Sequence, residues 1–285
     1  MNIVNILEEI EKVDGEIYER LNPRRSAMKD FYNMGKKITL AAMPLAMGSM
    51  FQKAYGQTAP STVTDVLKFA LTLEYLEYHF YNHALLAAPG LIPAGTPGVG
   101  AITTIRNHEK AHVDLLKGAL GNAAAGTELA YTDFDFTAKG TFPTVYSNYQ
   151  TFLAVAQAFE DTGVRAYKGQ AGVLKGNDVL TVALRIHSVE ARHAAHIRFM
   201  RQGGIPGGGA VPSLKPWISL GANGGANDSG VPQVDPVYKG EDLEVQTGVT
   251  ITGIATGVTK AKAVESFDEP LTSAEVLAIA GLFLK

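Results

Sequence analysis

Four stretches of the chain repeat buried-type side chains at the alternating three- and four-residue spacing of a helix that hides one face. Within 61–88 the stripe reads Ala70, Glu74, Glu77, Tyr81, Ala84, Ala88, and within 98–120 it reads Ile102, Ile105, Glu109, His112, Leu116, Ala119. Within 144–172 it reads Leu153, Ala156, Glu160, Val164, Tyr167, and within 178–202 Val179, Ala183, Ile186, Glu190, His193, Ile197, Met200. Residues that start and stop helices stand at the ends: Thr62 or Thr64, Pro89-Gly90, Gly121-Asn122, Gly172 or Gly176, Asp178, and Gly203-Gly204. The connections inside the first and second pairs of helices are short, which makes each pair an antiparallel hairpin. The loop-like segment 121–140 between the pairs can span up to roughly 65 Å when extended, enough to travel the length of a bundle. The pattern predicts an all-α fold: a four-helix bundle made of two hairpins joined by a long crossover.

The flanks read differently. Residues 2–21 place Ile3, Ile6, Leu7, Ile10, Val13, Ile17 and Leu21 on one face, an amphipathic helix that Asn22-Pro23 ends. Arg24-Arg25 followed by the apolar run 38–51, broken by Pro44, is similar to a twin-arginine export signal, with Ala27 where such signals usually carry Phe. The other reading is a helical arm that packs on the domain or on a neighbouring subunit. The two readings place the protein in the periplasm or in the cytoplasm. Beyond residue 203 the chain turns rich in Gly and Pro, alternates weakly over 244–259 like a small hairpin, and ends in an apolar helix behind the capping box Thr272-Ser-Ala-Glu275. The expected organisation is an N-terminal segment 1–60, a bundle 61–202 and an extension 203–285.

The chemistry lies in what interrupts the stripes. Glu74, Glu109, His112, Glu160, Glu190 and His193 replace apolar residues in mid-stripe, with Glu77 beside them. Burying one isolated carboxylate costs several kcal/mol, and several together repel one another. Paired divalent cations remove that cost, because carboxylates bridge them and imidazoles complete each coordination sphere. Glu-x-x-His puts a carboxylate and an imidazole one turn apart on the same helix face. The arrangement also duplicates itself: Tyr81 follows Glu74, and Tyr167 follows Glu160, by seven residues, and a Glu-x-x-His pair comes 35 and 30 residues after each first Glu.

Composition narrows the alternatives. A net charge of -3 offers no basic field for nucleic acid, and the absence of cysteine removes disulfides, thiolate zinc sites and cysteine nucleophiles. No stretch reaches the ~18–20 apolar residues that span a bilayer.

Over residues 61–202 the chain resembles the ferritin-like superfamily. Leu73-Glu-Tyr-Leu-Glu77 with Phe80-Tyr81 is similar to a bacterial ferritin-like domain family related to desiccation-related proteins. The resemblance implies Glu74, Glu109, His112, Glu160, Glu190 and His193 as ligands of two metal ions, iron first and manganese as the alternative. It implies Tyr81 and Tyr167 as aromatic residues beside the metals, and Glu77 as a further ligand or neighbouring acid. The expected activity is redox chemistry of a di-iron pair with dioxygen or peroxide, of the oxidase or ferroxidase type, in a chain that forms a homo-oligomer such as a dimer. A di-manganese peroxide dismutase and a non-catalytic stress or desiccation-related structural protein are the competing expectations. The same residues admit plainer readings. His108-Glu-Lys-Ala-His112 spells the His-Glu-x-x-His zinc protease motif, Glu77 can pair with Arg165 or Arg192, and His79, His83, His187 and His196 lie beside the stripes as ordinary histidines, His187 alternatively orienting Glu190 or His193.

Overall fold

The computed structural model of the chain describes residues 62–204, 209, 211–221, 224–225, 228–246 and 248–285. The expected N-terminal helix and the twin-arginine-like segment lie outside the described residues. Four long helices form the bundle: α1 (Val63–Leu86), α2 (Pro97–Leu120), α3 (Tyr149–Gln170) and α4 (Val179–Phe199). Thr62 caps α1 by accepting from the Asp65 amide at 3.1 Å, which satisfies a backbone donor left free at the helix start. Asn148 caps α3 in the same way through the Thr151 amide at 3.0 Å. The third helix therefore begins at Tyr149, later than the sequence pattern suggests, and residues 144–147 form turns instead. α1 packs along α2, and α3 along α4, with the crossover running from Gly121 to Asn148.

The crossover is tied to the end of the chain. The Asp135 amide donates to the Phe283 carbonyl at 2.8 Å, the Lys285 amide donates to the Asp133 carbonyl at 3.1 Å, and Phe134 and Leu284 form an antiparallel bridge. Beneath them Phe136 of the crossover meets Phe80 of α1 at 5.6 Å, and Phe142 of the crossover stacks on Phe283 at 6.5 Å. Such aromatic pairs add roughly 0.5–1.5 kcal/mol each beyond the area they bury, so the long connection is held as part of the core.

α3 departs most from the amphipathic expectation. Every residue from Phe152 to Tyr167 is buried, on all sides of the helix. One face lines the bundle, and the extension covers the other. Arg165, fully buried, donates to the carbonyls of Glu269 at 2.7 Å, Lys239 at 2.6 Å and Val237, and its Nε lies 2.7 Å from the Glu241 carboxylate. Arg198 of α4 binds Asp161 of α3 at 2.7 Å and Asp228 of the extension at 3.1 Å. At Gly169 an added Cβ would stand 2.0 Å from the Leu271 carbonyl, so only glycine lets the extension's backbone come this close.

The rest of the extension matches its expected outline on a small scale. Strands β1 (Val245–Gln246) and β2 (Val249–Thr250) pair antiparallel, followed by the single turn α5 (Lys260–Val264). The capping box forms: the Glu275 amide donates to Thr272 Oγ1 at 3.3 Å, and the Thr272 amide donates to Glu275 Oε2 at 2.9 Å. It starts α6 (Ser273–Ala280), which buries Val276, Ile279 and Ala280 and packs on α3. Among the described residues no helix is long and apolar enough to cross a membrane.

Candidate metal centre

The stripes converge halfway along the bundle. Glu74 comes from α1, Glu109 and His112 from α2, Glu160 from α3, and Glu190 and His193 from α4. All six are buried, the four carboxylates with no exposure at all. Their donor atoms fall into two groups, each within 4.8 Å: Glu74, Glu109, His112 and Glu190 in one, and Glu109, Glu160, Glu190 and His193 in the other.

Each group is centred on an imidazole Nδ1. That of His112 lies 3.1 Å from Glu74 Oε2, 3.0 Å from Glu109 Oε2 and 3.0 Å from Glu190 Oε1. That of His193 lies 2.8 Å from Glu109 Oε1, 3.3 Å from Glu160 Oε2 and 3.2 Å from Glu190 Oε2. Glu109 and Glu190 thus send one oxygen to each group, whereas Glu74 and Glu160 serve one group apiece. A single nitrogen carries at most one proton, so it cannot hydrogen-bond three oxygens at once. Glu109 Oε1, Glu160 Oε2 and Glu190 Oε1 are in fact buried without a hydrogen-bond partner. Adjacent donors about 2.1 Å from a common ion in octahedral geometry stand about 3 Å apart, which is the spacing found here. The donor set therefore fits a pair of cations, with three carboxylate oxygens and one nitrogen for each.

Two tyrosines tie the halves together across the core. Tyr81 of α1 donates to Glu160 Oε1 on α3, and Tyr167 of α3 donates to Glu74 Oε1 on α1. Each tyrosine thus holds the carboxylate of the opposite hairpin by the oxygen that does not face its imidazole. Burial pushes both phenols well above their usual range, so they remain neutral donors.

The electrostatics of the protein alone are unbalanced. Burial, reinforced by the neighbouring carboxylates, pushes Glu77 and Glu109 well above the ordinary range, and burial raises Glu160 to about 7 despite the charge of His193. Burial also works against the charged forms of His112 and His193, yet Glu74 and Glu160 and the other carboxylates hold both imidazoles protonated far above their usual value. Glu190 goes the other way: burial raises it, but the two imidazoles beside it, His112 and His193, outweigh burial and bring it down to about 2.

Glu77 lies on the same helix face as Glu74 but belongs to neither donor group. It is buried and faces Gly163 of α3, where an added Cβ would stand 3.4 Å from its Oε1. The alternative pairing of Glu77 with Arg165 or Arg192 is not formed. Arg165 is committed to Glu241 and the extension's carbonyls, and Arg192 is exposed on α4. His108 is outside both groups as well: its Nδ1 lies 2.9 Å from the outer nitrogen of His193, with the rings stacked at 5.2 Å. Sequence reasoning missed this contact, although His108 and His112 share a helix face at i, i+4. His79 and His187 bond the carbonyls of Leu129 at 2.8 Å and Val164 at 2.9 Å, and His83 stacks on Tyr131; His187 turns to the backbone and not to Glu190 or His193.

A bundle of two hairpins with a long crossover, carrying this double set of donors, defines a ferritin-like protein. Residues 62–203 match the family model described as the ferritin-like domain, and the chain belongs to the ferritin-like superfamily. No curated protein and no solved structure matches it.

Proposed function

We propose that the chain is a di-iron carboxylate protein whose activity is the oxidation of Fe(II) at the paired site by dioxygen or peroxide. The observation that carries the proposal is the position of the two Nδ1 atoms, each about 3 Å from three carboxylate oxygens contributed by three different helices. When bound, the iron pair supplies two electrons, one from each Fe(II), which with two protons take dioxygen to peroxide or peroxide to water.

The residues of the chain have separate tasks in this reading. Glu74 and His112 would hold one ion, Glu160 and His193 would hold the other, and Glu109 and Glu190, each with an oxygen in both donor groups, would serve both. Tyr81 and Tyr167 fix Glu160 and Glu74 so that one oxygen of each stays turned to the site. Outer hydrogen bonds of this kind commonly tune affinity or activity by about 10–100-fold. Glu77 holds a proton beside the carboxylate cluster, outside the donor groups. His108 receives or donates the hydrogen bond at the outer nitrogen of His193 and keeps Nδ1 directed inward.

Oxygen-rich donor sets also suit manganese, which supports a second reading as a di-manganese protein that dismutates peroxide. Metal analysis of the purified protein, with oxygen-uptake and peroxide-decomposition assays, separates the readings. Two irons per chain with oxygen uptake support the proposal. Manganese with oxygen release from peroxide supports the second reading, and protein that retains neither metal contradicts both.

A further inference from the structure

At the end of the bundle where α1 and α4 begin and α3 ends there is a cavity beside the donor cluster. It lies between Leu67 and Ala70 of α1, Tyr167 and Gln170 of α3, and Val182 and Ala183 of α4. Its walls are carbon almost throughout, and water-sized molecules have ≈ 20 Å³ in which to move. Tyr167 forms the wall toward the site, and its hydroxyl donates a hydrogen bond to Glu74 on the far side.

Size and chemistry together limit the occupant. The space exceeds the roughly 10–15 Å³ that one water requires, but is far smaller than an apolar cavity of about 150 Å³ that accepts benzene. A buried water also needs about two to four polar partners. Here the Tyr167 hydroxyl is engaged by Glu74, which leaves the amide of Gln170, with its unpartnered Oε1, as the other polar group among the described lining side chains, and polar atoms make up almost none of the cavity surface. An apolar molecule of two heavy atoms meets both limits.

We propose that this cavity is a holding site for dioxygen next to the Glu74–His112 half of the donor cluster. The inference rests on the proposed reaction with dioxygen and adds the place from which the gas is delivered. It assigns Ala70 and Ala183 the task of keeping that space open: both face it with single methyl groups where a larger side chain would close it.

Xenon reports such a site without reference to activity, because it occupies dry apolar cavities. Crystals of the metal-loaded full chain pressurised with xenon are expected to show a xenon atom between Ala70 and Ala183. The variant Ala183→Phe is expected to lose that atom, keep its metal content, and raise the KM for dioxygen several-fold with kcat unchanged, the signature of a lost binding step before the chemistry. Ala70→Leu closes the cavity from the opposite wall and is expected to act in the same direction, which covers the case that one variant fails to fold. Absence of xenon from the wild-type cavity overturns the proposal, as does an unchanged KM in a filled variant that retains its metal. Metal-loaded wild type that shows xenon but takes up no dioxygen overturns the proposed oxidation, and delivery with it, while leaving an apolar gas site.

Discussion

Glu160 and Asp161 are neighbours in sequence, both fully or nearly buried on α3, and they sit in opposite electrostatic worlds. Asp161 faces outward into a network that balances itself. Arg198 pairs with Asp161 and Asp228, Arg165 pairs with Glu241, Arg201 donates to Gln157 and to the Ser229 carbonyl, and Tyr238 adds a hydrogen bond to Asp161 at 2.7 Å. Burial disfavours the Arg198 guanidinium, but Asp161 and the adjacent groups outweigh it and raise Arg198 further, so the guanidinium stays charged. The balance is not perfect at its edge, where burial lifts Glu241 to about 8 against the pull of Arg165. Glu160 faces inward, where five carboxyl groups share the core with two imidazoles, and no Lys or Arg among the described residues pairs with any of them. One buried cluster has its own guanidinium counter-charges within the protein. The other is complete only with added positive charge, and that deficit is the physical argument for the metals.

The comparison is sharpest in the sign of a charge deletion. Arg198→Met strips one side of a compensated network and is expected to lower stability by about 3–5 kcal/mol, the usual cost of stranding a buried charge. Glu109→Gln in chelated protein replaces a carboxyl that burial already drives toward its neutral form, and it is expected to be neutral or stabilising while abolishing retention of the metal pair. Urea unfolding of both variants after chelation reads the contrast directly. Equal destabilisation by the two would erase the distinction between the clusters.

Metal loading should act on the bundle with nearly the same weight. A ligand at about 1,000 times its Kd stabilises the native state by roughly 4 kcal/mol, which for a domain of this size raises Tm by on the order of 10 °C. Thermal scans with and without a chelator at neutral pH test this.

The pH dependence follows from the raised carboxyls. Glu160 titrates near 7 in the folded, metal-free protein, against about 4.3 in an unfolded chain. Between those values the folded state binds more protons, so metal-free stability is present at low pH and is lost as pH rises through 7, by up to about 1.4 kcal/mol per pH unit. Glu77 and Glu109, also raised, act in the same direction. With metal bound the trend reverses, because protons compete with the ions for the same oxygens. Parallel denaturation series at pH 5 and pH 7.5 should therefore cross.

Smaller effects belong to the side chains behind the ligands. Tyr81→Phe and Tyr167→Phe each free one carboxylate oxygen and are expected to weaken metal binding by about 10–100-fold. His108→Ala should fall at the low end of that range and keep two metals, whereas a zinc protease site built on His108 and His112 would lose its ion. Metal titrations of the three variants rank these effects.

What the amino-acid sequence revealed follows the same division. The inward stripes are periodic, so Glu74, Glu109, His112, Glu160, Glu190 and His193 could be placed on one core from spacing alone, and the seven-residue offset to Tyr81 and Tyr167 became the pair of hydrogen bonds across it. The outer network has no period. Gln157, Asp161 and Arg165 look like the solvated face of an amphipathic helix, and their partners Tyr238, Arg198 and Glu241 stand 81, 37 and 76 positions away. A signal was present in Gly169, whose lack of a side chain lets the Leu271 carbonyl of the extension approach α3 closely. The extension that makes this approach is short of regular structure, so its course depends on hydrogen bonds to Arg165, Arg198 and Arg201 and not on local propensity.

The central claim is that the inward carboxylates surround two cations. Anomalous scattering from crystals of protein purified without chelators, measured across the iron and manganese edges, tests it most directly. Two peaks are expected at the iron edge, one beside Glu74 and His112 and one beside Glu160 and His193, both within reach of Glu109 and Glu190. Well-ordered crystals with no anomalous density among these six side chains, or with a single ion bound elsewhere, would contradict the account.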